Sequence, residues 1–269
     1  MTELPSLTDR AALSRNRARA LRGQPALFLH DEAAAEVQER LQLVNIRFMH
    51  PAIVTVFPQP WRKIFPAAVI VPDTDRLHLD EGAHDLVIHA MALHWAADLV
   101  GQLIQCRRAL VPDGLFLGAF PGGRTLHELR AALAEAESGL TGGLSPRVLP
   151  MGEIRDLGGL LQRAGFALPV ADSLMLPASY LDLFHLAADL RAMGETNALA
   201  ARPRHFSRRT LFDRAARIMA ESYPAAGGRV AATYELIFLT GWSPDPSQPQ
   251  PLKPGSAKAR LADALKPAP

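Results

Sequence analysis

Cysteine, net charge and long apolar runs are all scarce in this sequence. The single cysteine, Cys106, excludes an internal disulfide and a multi-cysteine metal site. No apolar run approaches the roughly 20 residues of a membrane helix, and no signal-peptide core follows Met1. A net charge of +2 gives no argument for nucleic-acid binding. We therefore expect a cytoplasmic protein without a transmembrane segment, in which 269 residues build one α/β domain with modest extras.

Residues 83–120 contain the pattern of a strand, a helix and a second strand. Leu86–Ile88 is an apolar run of the length of a strand buried on both faces. An amphipathic stretch follows, and the Pro-Asp-Gly sequence at 112–114 is expected to end it with a turn before the second run, Leu115–Leu117. This order predicts a right-handed parallel βαβ unit in a doubly wound sheet, whose ligands bind beyond the carboxyl ends of the strands.

The same segment resembles the second half of a class I S-adenosylmethionine-dependent methyltransferase. The matching motifs are Asp-Leu-Val at 85–87, Leu-His-Trp at 93–95, Arg-Arg-Ala-Leu at 107–110 and Pro-Asp-Gly at 112–114. The resemblance implies a Rossmann-like three-layer sandwich, an α/β fold with a mostly parallel sheet and an antiparallel last strand.

Further motifs resemble the methyltransferase-like assembly factors of respiratory complex I, and the biotin-pathway carrier-protein methyltransferases are a more distant match. These motifs are Gly123–Leu129 (GRTLHEL), Gly143–Arg147 (GLSPR), Asp156–Phe166 (DLGGLLQRAGF), Asp189–Asn197 (DLRAMGETN) and Ala232–Trp242 (ATYELIFLTGW). Because most of them lie outside the generic cofactor-binding half, they are more specific than the fold match.

The first half of the chain departs from the family pattern. Methyltransferases of this class carry an acidic residue and several glycines after the first strand, and these glycines let the backbone approach the cofactor. Here the first strand, predicted over 52–58, runs into Thr-Val-Phe-Pro-Gln-Pro-Trp at 55–61, with no glycine and no carboxylate. Only some 15 residues then separate Pro58 from Asp73, so we expect a shortened front half that lacks a strand and a helix.

The resemblance nevertheless implies a place for S-adenosylmethionine. Asp73 aligns with the residue that contacts adenine in the family, although a polar surface turn would also explain Asp73 and Thr74. His94 and Trp95 lie in the loop that lines the pocket in the family, and Trp95 either packs under the next helix or contacts a ligand. The predicted cofactor-binding residues are Phe57, Asp73, Thr74, His89, Ala90 and His94. In the fold that the resemblance implies, His127 and Glu128 border the substrate opening and are acid–base candidates by position, although an exposed helix surface would also explain them. The pattern assigns no catalytic base and no metal site, since His89 and His94 lack a suitable spacing on one helical face.

The pattern divides the chain into three parts. We expect N-terminal helices over 1–50, a methyltransferase-like domain over 51–242 with a helical insertion at 177–226, and a proline-rich tail over 243–269. The first helix, predicted over 8–22 with Thr8 as its cap, carries five arginines, which indicate either a solvated face or docking to an acidic partner or membrane. Asp31 and Ser207 are the predicted caps of helices at 31–48 and 207–223.

Two functions are compatible with these patterns. The resemblance favours an S-adenosylmethionine-dependent enzyme that performs methyl transfer or, as in the assembly-factor group, hydroxylation of an arginine on a complex I subunit. The missing glycines favour a non-catalytic member of the fold that serves as an assembly or interaction protein. Both hypotheses imply a protein partner, and neither implies nucleic acid.

Overall fold

The centre of the structure is a seven-stranded mixed sheet, seen in a computed structural model that describes residues 7–249. The strands are β1 (Pro51–Val54), β2 (Val69–Val71), β3 (His84–Ala90), β4 (Leu110–Pro121), β5 (Ala167–Tyr180), β6 (Pro224–Ala225) and β7 (Arg229–Trp242). The helices are α1 (Arg10–Arg22), α2 (Phe28–Val44), α3 (Gln59–Ile64), α4 (Leu99–Ala109), α5 (His127–Thr141), α6 (Ile154–Arg163), α7 (Leu183–Met193) and α8 (Arg209–Ser222). Short 3₁₀ turns lie at Leu93–Trp95 and Ala226–Gly228.

The strand order is β2-β1-β3-β4-β7-β5, with β6 paired to β7. The first four strands in this order are parallel, and β7 is antiparallel to both β4 and β5. The predicted βαβ unit is confirmed, because Leu86 pairs with Leu115 and Ile88 with Leu117 across β3 and β4. The antiparallel strand near the chain's end and the Rossmann-like class are confirmed as well.

Alternation along the strands divides the core into two layers. Ile53, Leu86 and Ile88 face one core with α2, α3, α5, α7 and α8. Ala52 and Val87 face the other, where α4 and α6 supply Leu103 and Leu161. Because successive strand residues point to opposite faces, fully apolar strands such as β3 need a helical layer on each side.

The front half is shortened as expected. Between β1 and β3 the chain forms only the six-residue helix α3 and the three-residue strand β2. Strand β2 is the edge of the sheet beside β1, and Val69 on it is 49% exposed.

Several predicted boundaries are wrong. Helix α1 is capped by Asp9, whose carboxylate accepts a hydrogen bond from the backbone N–H of Ala12 at 2.9 Å, while Thr8 bonds instead to the Trp95 carbonyl. Helix α2 begins at Phe28, so Asp31 lies in its first turn, where a carboxylate favours the helix dipole. Ser207 does not cap α8, because its hydroxyl accepts a hydrogen bond from Arg147.

Three strands also differ from expectation. Strand β1 ends at Val54 rather than at 58, and β4 begins at Leu110, so the 112–114 sequence lies inside a strand with Asp113 at a φ of 58°. Strand β5 extends to Tyr180, so the insertion predicted at 177–226 begins after that residue and contains α7 and α8. The domain boundaries at 50 and 242 stay a prediction, and most of the predicted tail, residues 250–269, lies outside the described residues.

Candidate functional site

A cavity of about 230 Å³ lies beyond the carboxyl end of β4. Pro121, the last residue of β4, forms part of its wall. Helices α5 and α7 and the segment 147–151 supply the other apolar walls, with Leu129, Leu190 and Met151 among the lining residues. The position agrees with the rule that ligands bind at the carboxyl ends of strands in open α/β sheets.

Four motifs that are distant in sequence meet at this cavity. GRTLHEL contributes Thr125, Leu126 and Leu129, and GLSPR contributes Arg147. The DLRAMGETN motif contributes five lining residues and ATYELIFLTGW contributes one: Leu190, Met193, Glu195, Thr196, Asn197 and Tyr234. The motif at 156–166 forms α6 on the opposite face of the sheet and takes no part. The motifs outside the generic cofactor half thus converge on one site.

Glu195 is the carboxylate of the cavity wall. Its Oε2 accepts hydrogen bonds from the indole N–H of Trp95 at 2.6 Å and lies 3.1 Å from His94 Nε2. Burial acts to raise the pKa of this carboxyl. The charges of His94 and Arg17 and the hydrogen bonds lower the pKa by a larger amount, so it lies below its ordinary value. The group is therefore an anion at neutral pH, held in an otherwise mainly apolar enclosure.

Arg147 is fixed at another part of the wall by Glu137. The guanidinium donates a 2.6 Å hydrogen bond to the carboxylate, which also accepts bonds from the N–H and hydroxyl of Ser145 at 2.8 Å each. The hydrogen bond from Arg147 is the main cause that lowers the pKa of Glu137 to about 2. Asn197 donates to the Pro146 carbonyl at 2.9 Å, so the 142–147 loop is anchored to both α5 and the segment after α7.

The predicted cofactor residues lie next to this cavity, at the ends of β1 and β3 and in the loop after β2. We call this region, formed by residues 55–57, 73–74 and 89–94, the cofactor seat. Asp73 is buried there, and both of its carboxylate oxygens accept hydrogen bonds from Arg17 of α1 at 2.8 Å. Arg10, about two helical turns earlier, lies 3.6 Å from the same carboxylate.

Gln102 connects Thr74 with His89. Its side-chain N–H donates to the Thr74 carbonyl at 2.7 Å, and its side-chain oxygen lies 3.2 Å from His89 Nε2. Burial lowers the pKa of His89 to about 4, so the imidazole is neutral at physiological pH. Ala90 is fully buried at the end of β3, paired with Ala119 of β4.

Phe57 and Trp61 pack inward. Phe57 lies edge-on to His30 at 5.3 Å between ring centroids, and the Trp61 indole donates to His30 Nδ1 at 3.2 Å. Both side chains are buried, Trp61 completely. Their bulk therefore holds the turn after β1 against α2.

The residues of the seat do not fit S-adenosylmethionine in this conformation. Residues 55–61 contain no glycine that would bring backbone N–H groups close to a ligand, and Pro58 and Pro60 cannot donate. The Asp73 carboxylate is engaged by the Arg17 guanidinium. The assignment of Phe57, Asp73, Thr74, His89, Ala90 and His94 to the cofactor stays a prediction.

Other candidate groups have structural roles. Glu128 is buried and accepts a hydrogen bond from the Thr233 backbone at 3.1 Å, whereas neither it nor His127 lines the cavity. Cys106 is buried on α4, and burial raises the pKa of its thiol. Within residues 7–249, no group of three or more His, Cys, Asp or Glu side chains could hold a metal ion.

Arg17 is the site residue that sequence reasoning missed. The five arginines of α1 suggested a solvated face, but Arg17 falls on the stripe formed by Leu13 and Ala20, both buried. That i, i+4, i+7 spacing was a usable signal that this arginine faces inward.

The mixed α/β sheet with its cavity at the carboxyl end of β4 is a Rossmann-like methyltransferase fold, and comparison with known proteins agrees with this class. A family model described as a methyltransferase domain matches residues 34–118. A crystal structure from Bacillus halodurans C-125, of a protein assigned as a methyltransferase, covers 78% of this chain and 99% of its own, with a TM-score of 0.50 and 12% identity, which supports the fold alone. The chain is therefore similar to methyltransferases in sequence over part of its length and in its fold.

Two relatives narrow this similarity. The mitochondrial arginine-hydroxylase NDUFAF5 of Danio rerio is 38% identical over 201 residues, which are 75% of this chain and 62% of the relative. A malonyl-[acyl-carrier protein] O-methyltransferase of Methylovorus is 32% identical over 198 residues, 74% of this chain and 60% of the relative. The chain therefore matches about three fifths of the length of these relatives and lies near the arginine-hydroxylase group.

Proposed function

We propose that this protein is an S-adenosylmethionine-dependent, methyltransferase-like protein that acts on a protein substrate during assembly of respiratory complex I. The reaction is methyl transfer or arginine hydroxylation, the latter being the activity named for the NDUFAF5 relative. The observation that carries the proposal is the convergence of the GRTLHEL, GLSPR, DLRAMGETN and ATYELIFLTGW motifs on one cavity.

The surface beside the cavity supports a protein substrate. A groove of about 440 Å³ adjoins the cavity at Arg147, which contributes to both. Phe206 on the groove is fully exposed, and Leu144 in the nearby 142–147 loop is 69% exposed. Exposed apolar side chains surrounded by polar residues are typical of protein interaction sites. The groove would therefore hold the segment that flanks a substrate residue.

A second candidate function is a non-catalytic assembly or interaction protein. The occupied Asp73 carboxylate and the turn after β1 without glycine favour it. In this form the cavity and the groove would bind the partner without chemistry.

Calorimetric titration of the full chain with S-adenosylhomocysteine separates the two candidates. Heat that fits a dissociation constant below the millimolar range supports the cofactor-dependent form, and no heat at millimolar ligand supports the non-catalytic form. A second measurement compares complex I subunits by mass spectrometry in source cells with and without the gene. A subunit that lacks the mass added by one methylation (CH2) or one hydroxylation (O) in cells without the gene supports the enzyme, and impaired assembly with unchanged subunit masses supports the alternative.

Every helix of residues 7–249 is too short or too polar to cross a membrane. The NDUFAF5 relatives are described as mitochondrial, and the cytoplasm stays a prediction for this chain.

A further inference from the structure

Helix α1 lies over the cofactor seat and inserts one side chain into it. The Arg17 side chain is 6% exposed and that of Asp73 is 7% exposed, and Nη1 of Arg17 donates to both carboxylate oxygens of Asp73. Arg10 adds a second contact to the Asp73 carboxylate at 3.6 Å and reaches Asp75 at the same distance. The carboxylate that aligns with the adenine-contact residue of the family is therefore held by a guanidinium of the chain itself.

The helix is held in this place along its whole length. Leu13 packs with Trp95 and Leu199, and the backbone N–H of Asp9 donates to the Ala198 carbonyl at 2.8 Å. A side chain at Gly194 would approach Arg17 Cα to 3.1 Å, and the φ of Gly194 is +79°. Glycine at this position therefore allows the close contact between α1 and the end of α7.

The closed seat contains polar atoms that the helix leaves unpaired. Within the described residues, Arg17 Nε, His89 Nδ1 and His94 Nδ1 are buried without a hydrogen-bond partner. Buried polar atoms are normally satisfied, so such atoms mark a place where a ligand or water completes the bonding. A groove of about 410 Å³ lies beside Arg17, between Arg10 and Leu13 of α1 and Pro72 and Thr74 of the loop after β2.

We propose that Arg17 is an internal occupant of the cofactor seat, so that docking of α1 and binding of an adenosyl ligand are mutually exclusive. The ligand binds only the fraction of molecules in which Arg17 has left Asp73, and its apparent affinity is lowered by that fraction. This inference rests on the proposed function only in naming an adenosyl compound as the ligand. It makes α1 a competitor that a partner protein can displace.

The test uses S-adenosylhomocysteine and the full chain with three single variants. Arg17→Ala removes the occupant, Arg10→Ala removes the weaker contact, and Arg15→Ala is the matched control because Arg15 is exposed on the same helix. We expect calorimetry to give at least a tenfold tighter apparent dissociation constant for Arg17→Ala, a smaller gain for Arg10→Ala and none for Arg15→Ala. Arg17→Lys keeps the charge but replaces the planar guanidinium with an ammonium group. If Arg17→Ala is unstable, this variant is measured in its place, and we expect a gain in affinity between those of the natural chain and Arg17→Ala.

Hydrogen–deuterium exchange supplies a second readout. In the natural chain, saturating S-adenosylhomocysteine is expected to increase amide exchange in residues 10–22, because the ligand displaces the helix. Equal affinities in all four proteins, with unchanged exchange, would overturn the inference and leave the proposed function standing. No binding in any of the proteins would overturn the inference and the cofactor-dependent function together.

Discussion

Two arginines of this protein each donate hydrogen bonds to a buried carboxylate. Arg17 binds Asp73 through two 2.8 Å bonds, and Arg147 binds Glu137 at 2.6 Å. Breaking such a pair leaves the remaining charge buried without a partner, which costs more than the pair itself contributed. Single substitutions at these pairs should therefore have measurable effects on stability.

Glu137→Gln should lower the free energy of unfolding by about 1–2 kcal/mol at pH 7, a value for charged hydrogen bonds reduced for solvent screening. The Arg147 hydrogen bond lowers the pKa of Glu137 from 4.5 to about 2 in the folded protein. A depressed carboxyl pKa contributes stability above the unfolded pKa and loses it as pH falls through the folded pKa. The difference between the two proteins in urea denaturation should therefore shrink between pH 4.5 and pH 2.

Glu135→Gln is the control for this substitution, because Glu135 is exposed on the same helix. It should leave stability nearly unchanged across the same pH range. An equal effect of the two substitutions would show that the Arg147 pair does not stabilise the loop at 142–147.

The turn after β1 is held by packing against the core. Helix α3 has six residues, follows Pro58 and places Trp61 in the core against His30 and α2. We infer that this packing, rather than a ligand, fixes the turn.

Trp61→Ala should lower the free energy of unfolding by about 3–5 kcal/mol, since it leaves a large cavity and removes the hydrogen bond to His30. Arg62→Ala, at the exposed neighbouring position, should change it by less than about 0.5 kcal/mol. Both changes in the free energy of unfolding are to be measured by urea denaturation followed by circular dichroism. A loss of under about 1 kcal/mol for Trp61→Ala would show that the turn can be held without its core contact.

Elements with apolar runs were predictable, and those without them were not. Strands β3 and β4 were found from Leu86–Ile88 and Leu115–Leu117 because buried parallel strands are apolar on both faces. The helical insertion was predicted to begin at 177, but strand β5 continues to Tyr180. Its outer face is half exposed and Pro177 lies at the sheet edge, so no apolar run marks its end. The helix boundary before β4 was missed because Asp113 adopts a positive φ within the strand.

The motif pattern indicated a site on the scale of the whole molecule, but its geometry depends on contacts that no local pattern contains. Arg147 and Glu195 were noted as members of motifs, yet their partners Glu137 and Trp95 lie on other elements. The pairing of Arg17 with Asp73 joins positions 56 apart in the chain. Such contacts become visible only when the helical insertion and α1 are placed over the sheet.

Ala187→Phe should abolish function by narrowing the cavity mouth, because Ala187 lines the cavity on α7. Since the new ring enters existing space, the free energy of unfolding should change by less than about 1.5 kcal/mol. Ala188→Phe adds the same ring one residue further on, at an exposed position outside the cavity lining. The measurement is rescue of complex I assembly in source cells that lack the gene; equal rescue by both variants would contradict the assignment of the cavity as the substrate site.

Helix α1 is synthesised well before its partners in the segment after α7. Asp9 contacts the Ala198 backbone and Arg202, and Leu7 accepts a hydrogen bond from Ala200. During translation the contacts of this segment with Ala198, Ala200 and Arg202 therefore form only after most of the described chain has been made. Closure of α1 over the sheet is then a late step, which buries Arg17 and leaves Arg15 exposed.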